Sequence, residues 1–304
     1  MSDSLIHRVM VSLMIAALTA ALLPVAGWTH TVVAGSDSTE ESATVTEQAI
    51  TYREIDGETL LLDACLPADA TNPLAAVVLV HGGGWTGGQR DAPQWASLCE
   101  DLAGHGYAAF TVDYRLAPDH PFPAALEDVQ AAVEWLRQPD QVDRFGIDPD
   151  RLGILGGSAG GNLAGLVGTA GDGDLTDGVR VRAVVSLSGP MILTEDLIDS
   201  ATSRQIETAL TFLGCDTIDD CPAAEAASPI NAVDSTDPPF LLVHAEDDPV
   251  VPVDQSVVMG EALDAADVPN EVVVVLGTAH AARLLDDDQL MDMVFTFLDD
   301  NLAS

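Results

Sequence analysis

Six residues near the middle of the chain, Gly156-Gly157-Ser158-Ala159-Gly160-Gly161, set a serine among glycines directly after the apolar run 151–155. Gly-x-Ser-x-Gly between a strand and a helix is the pattern of a nucleophile elbow, because the glycines tolerate a tight backbone and the hydroxyl stands free in the cleft. A serine hydroxyl is a weak nucleophile at neutral pH. The reading therefore demands a histidine to take its proton and a carboxylate to orient that histidine. Of the seven histidines, His7 and His30 belong to an N-terminal targeting segment, His105 precedes a glycine at a helix end, and His120 sits in the proline-rich loop 118–123. His81 and His244 end strands but come too early in the order Ser, Asp, His or directly beside other motifs. His280 remains, in the small-residue loop Gly277-Thr278-Ala279-His280-Ala281 after the last apolar run.

The carboxylate should leave the preceding strand, where 240–244 runs into Ala245-Glu246-Asp247-Asp248-Pro249-Val250-Val251-Pro252. Three adjacent acids are equivalent on chemistry alone; Asp248 is favoured because Pro249 fixes the backbone directly after it. Attack on a carbonyl also creates an oxyanion, which needs preorganised donors worth about 3–4 kcal/mol each. His81-Gly82-Gly83-Gly84-Trp85 follows another apolar run and supplies them: the backbone N–H groups of Gly83 and Gly84, joined by that of Ala159. A phosphate-binding loop would carry Lys-Ser or Lys-Thr after its glycines, and none follows. The chemistry expected is acyl transfer to water through Ser158, Asp248 and His280, with a small-molecule ester as substrate. That reaction needs no cofactor and no metal.

The elements that must position these residues alternate along the chain. Short apolar runs at 59–66, 76–80, 108–112, 152–155, 183–187, 240–244 and 272–276 read as strands. Amphipathic stretches at 93–103, 124–136, 161–168, 254–265 and 287–298 read as helices. The alternation predicts an α/β fold, a mostly parallel sheet flanked by helices on both faces. In such sheets ligands bind at the carboxyl ends of the strands, and every residue singled out above falls just after a predicted strand. The interval 190–231 is longer than one crossover helix requires and is expected to form a small cap insertion over the site.

Taken together, these motifs resemble the hormone-sensitive-lipase-like and feruloyl-esterase-like branch of the α/β-hydrolases over residues 49–302. The resemblance rests on the glycine loop at His81, on Asp113-Tyr114-Arg115-Leu116-Ala117-Pro118 with Pro121-Phe122-Pro123-Ala124-Ala125-Leu126-Glu127-Asp128, on the elbow, on Asp248-Pro249-Val250-Val251-Pro252 and on His280. It implies an α/β-hydrolase fold, carboxylic-ester hydrolysis, and Asp248 as the acid. The acids between Asp113 and Asp128 are expected to serve folding. Two departures stand out: Gly157 occupies a position where the lipase-like branch carries an acid, and only a polar segment precedes the first predicted strand.

Composition bounds the rest. The chain has 304 residues, 49 acidic against 11 basic side chains, all of the latter Arg, and a net charge of −38. That sign excludes a nucleic-acid partner. Because mean hydropathy is nonetheless positive, the acids are expected to decorate a folded body adapted to salt rather than a disordered chain. Residues 1–35 carry an apolar run followed by Val32-Val33-Ala34-Gly35 and read as a secretory signal peptide or a membrane anchor. Either places the catalytic body outside the cytoplasm, with membrane contact only if the segment is retained. Residues 36–48 read as a flexible acidic linker, and 49–304 as the catalytic domain. A local Cys215–Cys221 bridge is expected; Cys65 and Cys99 either pair or are two buried thiols. The acidic stretch 172–178 resembles a calcium loop but lacks its terminal Glu, and reads as a solvated loop. Two rival functions stay open: a secreted peptidase or amidase on the same triad, and a non-catalytic binding protein.

Overall fold

The computed structural model describes residues 44–70, 73–194 and 202–303. The expected signal peptide or anchor and most of the expected linker lie outside them. Eight strands, β1 (Thr44–Ile55), β2 (Glu58–Pro67), β3 (Leu74–Val80), β4 (Ala108–Val112), β5 (Ile147–Gly157), β6 (Ala183–Leu187), β7 (Phe240–Ala245) and β8 (Asn270–Val275), form one sheet. Their order is β1-β2-β4-β3-β5-β6-β7-β8. β1 and β2 pair antiparallel at one edge, β2 meets β4 antiparallel, and β4 onward is parallel. The α/β-hydrolase architecture expected from the sequence is the one observed.

β1 corrects two boundaries. Residues 44–48, read as linker, are strand, and the domain therefore starts before residue 49. An edge strand that covers little core has no need of apolar residues, and most of β1 is exposed or half-exposed. Its polar composition hid its pairing.

The central parallel strands β3, β4, β6 and β7 and the end of β5 are buried on both sides, which is why they read as continuous apolar runs, whereas the edge strand β8 is half-exposed. Along β3, Val77 and Leu79 join one core while Ala76, Val78 and Val80 join the other. The first core is closed by α1 (Pro93–Gly104) and α8 (Asp288–Leu302). The second is closed mainly by α2 (Ala124–Leu136), α3 (Pro139–Phe145), α4 (Ala159–Gly168) and α7 (Asp254–Ala265). The interval 190–231 contributes α5 (Ser203–Leu213) and α6 (Pro222–Ala226), with Phe212 and Ala224 buried against the second core.

Both disulfides are closed. Cys65–Cys99 ties β2 to α1, and Cys215–Cys221 ties the end of α5 to the start of α6. Most described arginines are spent inside the fold. Asp128, fully buried, takes Arg53 at 2.6 Å and Arg115 at 2.8 Å, while Arg90 bridges Asp63 and Asp113. The acids of the 113–128 stretch thus anchor loops to the sheet rather than line a site. The loop 172–178 is largely exposed, with the Leu175 and Gly178 carbonyls held by Arg137. Among the described residues no cluster of three or more His, Cys, Asp or Glu could hold a metal ion, and no helix is long and apolar enough to cross a membrane.

Candidate active site

Four parallel strands deliver the candidate residues to one edge of the sheet. β3 runs into the His81 loop, β5 into Ser158, β7 into Asp248 and β8 toward His280. β6 lies between β5 and β7 and fastens its neighbours: Ser158 N–H donates to Leu187 O at 2.8 Å, and Ser188 N–H to Val243 O at 2.9 Å. Ser158 has φ 56° and ψ −122°. A non-glycine residue in that region is strained, and such strain persists only where the surroundings over-determine it. Here they do, because the next helix starts against the sheet itself: a Cβ on Gly160 would lie 2.1 Å from Val80 O.

His280 Nδ1 lies 2.7 Å from Asp248 Oδ2. An ionised carboxylate only accepts, so Nδ1 carries the proton and Nε2 keeps a free lone pair. Asp248 Oδ1 accepts from the backbone N–H of Val250 at 2.8 Å and of Val251 at 3.1 Å, a turn that Pro249 helps to set. Burial of the carboxyl raises its pKa, but the hydrogen bonds from His280, Val250 and Val251 outweigh it and hold Asp248 below the usual carboxylate range. Glu246 and Asp247, equivalent to Asp248 on chemistry alone, face solvent.

The His280 loop rests on the elbow. A Cβ on Gly157 would lie 3.0 Å from Ala281 Cβ and 3.1 Å from the Trp95 ring, so a side chain before the serine would need one of these neighbours to give way by a few tenths of an ångström. The glycine, where the lipase-like branch carries an acid, lets the two pack this closely. Ser158 Oγ forms none of the hydrogen bonds found among the described residues, a common state without substrate. The structure thus bonds His280 to Asp248 and sets the neighbouring residue Ala281 against Gly157, the residue before the strained serine.

The glycine loop lies on the serine's other side. A Cβ on Gly82 would sit 2.8 Å from Gly157 O and 3.1 Å from Ser158 Cβ. Gly83, at φ 131°, is in a conformation that only glycine adopts easily, and its missing Cβ leaves room for the Gly87 carbonyl. The N–H groups of Gly83, Gly84 and Ala159 donate to nothing among the described residues, and all three residues line one cavity with Ser158. His81 itself supports the loop from below. It is buried, stacks on Tyr114 at 4.3 Å, and accepts the Tyr114 hydroxyl on its carbonyl.

The cavity measures about 390 Å³. Trp85, Pro190, Leu193, Ala209 and Val251 give it apolar walls, and α5 adds Arg204, Gln205 and Thr208. Trp85 stacks on Phe212 of α5 at 4.3 Å, and a Cβ on Gly84 would meet Thr208 at 2.9 Å. Gln205 joins two regions: its Oε1 caps Thr202 N–H at the start of α5, and its Nε2 donates to the Val250 carbonyl of the acid loop. Sequence reading missed these α5 residues. The capping pattern Thr202-x-x-Gln205 was the available signal for where the helix begins.

A parallel sheet presenting an elbow serine, a glycine loop and an Asp–His pair at its carboxyl edge defines a hormone-sensitive-lipase-like α/β-hydrolase of the esterase group. The chain belongs to the BD-FAE family, whose model matches residues 62–263. It is similar to the esterase LipC of Mycobacterium tuberculosis, 35% identical over 225 residues that cover 71% of this chain and 55% of the relative. The esterase LipQ of the same organism is 33% identical, with 74% and 55% covered. The chain thus spans just over half the length of these curated relatives. Among solved structures, a truncated carbohydrate esterase from gut microbiota superposes with a TM-score of 0.75 at 25% identity, covering 87% of this chain and 99% of that one. The butyrate-bound esterase Est2 of Thermogutta terrifontis gives 0.64 at 27% identity, with 82% and 95% covered.

Proposed function

We propose that this chain hydrolyses carboxylic esters of small molecules through Ser158, His280 and Asp248. The observation that carries the reading is the 2.7 Å Asp248–His280 bond together with a strained serine that shares its cavity with three N–H groups unpaired among the described residues. Ser158 Oγ attacks the carbonyl carbon and His280 Nε2 takes its proton. The oxyanion is held by Gly83, Gly84 and Ala159, and it collapses as the alcohol leaves with the proton from His280. Water then attacks the acyl-enzyme, gives its proton to the same nitrogen, and the acid departs as Ser158 is reprotonated. Asp248 stays ionised throughout, holding the imidazole in one tautomer and stabilising its charged form.

A cavity of about 390 Å³ lies at the small end of the range for ligand sites and suits a compact ester. The esterase names of LipC and LipQ support ester bonds. Turnover of a short-chain nitrophenyl ester against an aminoacyl anilide tests this: the ester should be cleaved and the anilide spared, and preference for the anilide would make the chain a peptidase or amidase. We further propose an extracytoplasmic location, supported by two closed disulfides and by the N-terminal sequence pattern. The excess of acids supports a surface adapted to salt.

A further inference from the structure

A second histidine stands beside Asp248. His244 ends β7, is fully buried, and has its Nε2 2.9 Å from the Val251 carbonyl and 3.5 Å from Asp248 Oδ2. Its Nδ1 lies 2.8 Å from Ser256 Oγ on α7. A carbonyl can only accept, so Nε2 carries the proton; in the neutral ring Nδ1 must then accept from the Ser256 hydroxyl. The tautomer is fixed from both ends. Burial pushes the His244 pKa down, which keeps the ring neutral at working pH. The titratable groups that face it are Asp248 and, beyond the carboxylate, His280.

We infer that His244 is a positioning residue for the triad acid, tying the 248–251 turn to the end of β7 and turning a neutral N–H toward Asp248 Oδ2. The inference rests on the proposed triad. Its logic is one of geometry. Asp248 is held on Oδ1 by the N–H groups of Val250 and Val251, and those two groups point at the carboxylate only while the turn is pinned. His244 pins it at the Val251 carbonyl. The same N–H leans toward Oδ2, the oxygen that His280 uses. A formal charge there would compete with the imidazolium that forms on His280 during attack; a neutral donor steadies the carboxylate without that competition. Ser256 contributes at one remove, because without its hydroxyl the ring is free to reverse its tautomer and lose the bond to Val251.

The test uses the full chain and a nitrophenyl ester, with kcat expressed per active site from titration with a fluorophosphonate. His244→Phe keeps the ring's bulk and removes both nitrogens. It should lower kcat on the order of ten- to a hundredfold, as when a group orienting a functional side chain is lost, while KM changes by less than about twofold. The low-pH limb of kcat/KM should move upward, since a turn no longer pinned at the Val251 carbonyl holds Asp248 with weaker N–H bonds and leaves the carboxylate favouring the protonated base more strongly. His244→Gln, which keeps an N–H within reach of Val251, should recover most of the loss. Ser256→Ala should shift both readouts in the same direction by a smaller amount, and it decides the matter if His244→Phe does not fold. Wild-type kcat per titrated site with an unmoved limb overturns the inference, even if the melting temperature falls. So does a His244→Gln enzyme no better than His244→Phe. Ser158→Ala, run alongside, separates the two failures: if it remains active, the triad itself is wrong.

Discussion

The carboxyl edge of the sheet and the 190–231 insertion meet at one cavity but are built in different ways. At the sheet edge the candidate groups hang from buried parallel strands whose backbones bond one another, so Ser158, Asp248 and the glycine loop inherit the rigidity of β3, β5 and β7. The insertion reaches the same cavity through α5. That helix is held by side chains, the Trp85–Phe212 stack and the Gln205 bridge to Val250, and by one disulfide at its end. Reacting atoms tolerate misplacement of only a fraction of an ångström, whereas groups that touch the rest of a substrate tolerate more. On the proposed function, chemistry belongs to the sheet edge and selectivity to the insertion, and changes on each side should separate the two.

The largest effect belongs to the serine. Ser158→Ala should reduce kcat by more than about a thousandfold while leaving the melting temperature nearly unchanged, because it removes one oxygen that makes no hydrogen bond among the described residues. Residual activity above about a thousandth of wild type would place the nucleophile elsewhere. Next comes the acid. Asp248→Asn should cost on the order of ten-thousandfold by presenting the wrong hydrogen-bonding partner to His280, while the exposed Asp247→Asn should change kcat by no more than a few fold. The reverse ranking moves the acid by one position.

Changes in the insertion should look different. Reduction of Cys215–Cys221, or its replacement by serines, should alter the ratio of kcat/KM between short and long acyl esters by several fold. A loop this short contributes only about 2 kcal/mol to stability, so the melting temperature should move by a few degrees. Gln205→Ala should shift the same ratio in the same direction, since it releases α5 from the acid loop. Unchanged ratios across an ester series would remove the insertion from any role in selectivity.

Acid should act on the sheet edge. His81 and His244 are both buried and both held below the ordinary histidine value by desolvation. Below about pH 6.5 the unfolded chain therefore binds more protons than the folded one. Stability from these rings is fully present above that pH and is lost as pH falls beneath it. Asp237, whose burial raises its carboxyl to about 6, pulls the other way over the same range. The check therefore compares melting temperature from about pH 7.5 to pH 5 in 1 M sodium chloride, where surface repulsion is screened, between the wild type and His244→Phe. The wild type should lose more as pH falls, and equal slopes would contradict neutral burial of His244.

The smallest effect is spread over the whole surface. With a net charge of −38, repulsion is only partly screened at 0.1 M salt, where the Debye length is about 10 Å, and is largely removed at 1 M, where it is about 3 Å. Melting temperature should rise between 0.1 and 3 M sodium chloride, by about 2–4 °C for each kcal/mol of repulsion relieved. A sulfate salt run in parallel separates screening from general exclusion. A flat or falling curve would leave the acidic surface without this role.

The contrast between the two regions also decided what could be read from sequence. Seven strands showed themselves as apolar runs, the central ones because both their faces are buried and the half-exposed edge strand β8 through its four consecutive valines. The elbow and glycine loop showed themselves because close approach admits no side chain at Gly160 or Gly83. β1 stayed hidden because an exposed edge strand carries no apolar signature. α6 stayed hidden because it is only five residues long, and α5 because Gln205, which starts the helix and ties it to the acid loop, is a polar residue common in loops. His244 was seen and set aside: its place at the end of β7 argued against a base, and only its distances to Val251, Asp248 and Ser256 give it another task.

The central claim is that Ser158, held by the sheet and served by His280 and Asp248, is the nucleophile. A single measurement meets it directly: titration with a fluorophosphonate followed by peptide mapping of the adduct. One equivalent should abolish ester hydrolysis, with the phosphonyl group found on Ser158 and loss of activity proportional to its occupancy. Complete inhibition with Ser158 unmodified, or full modification of Ser158 with activity intact, would contradict the account.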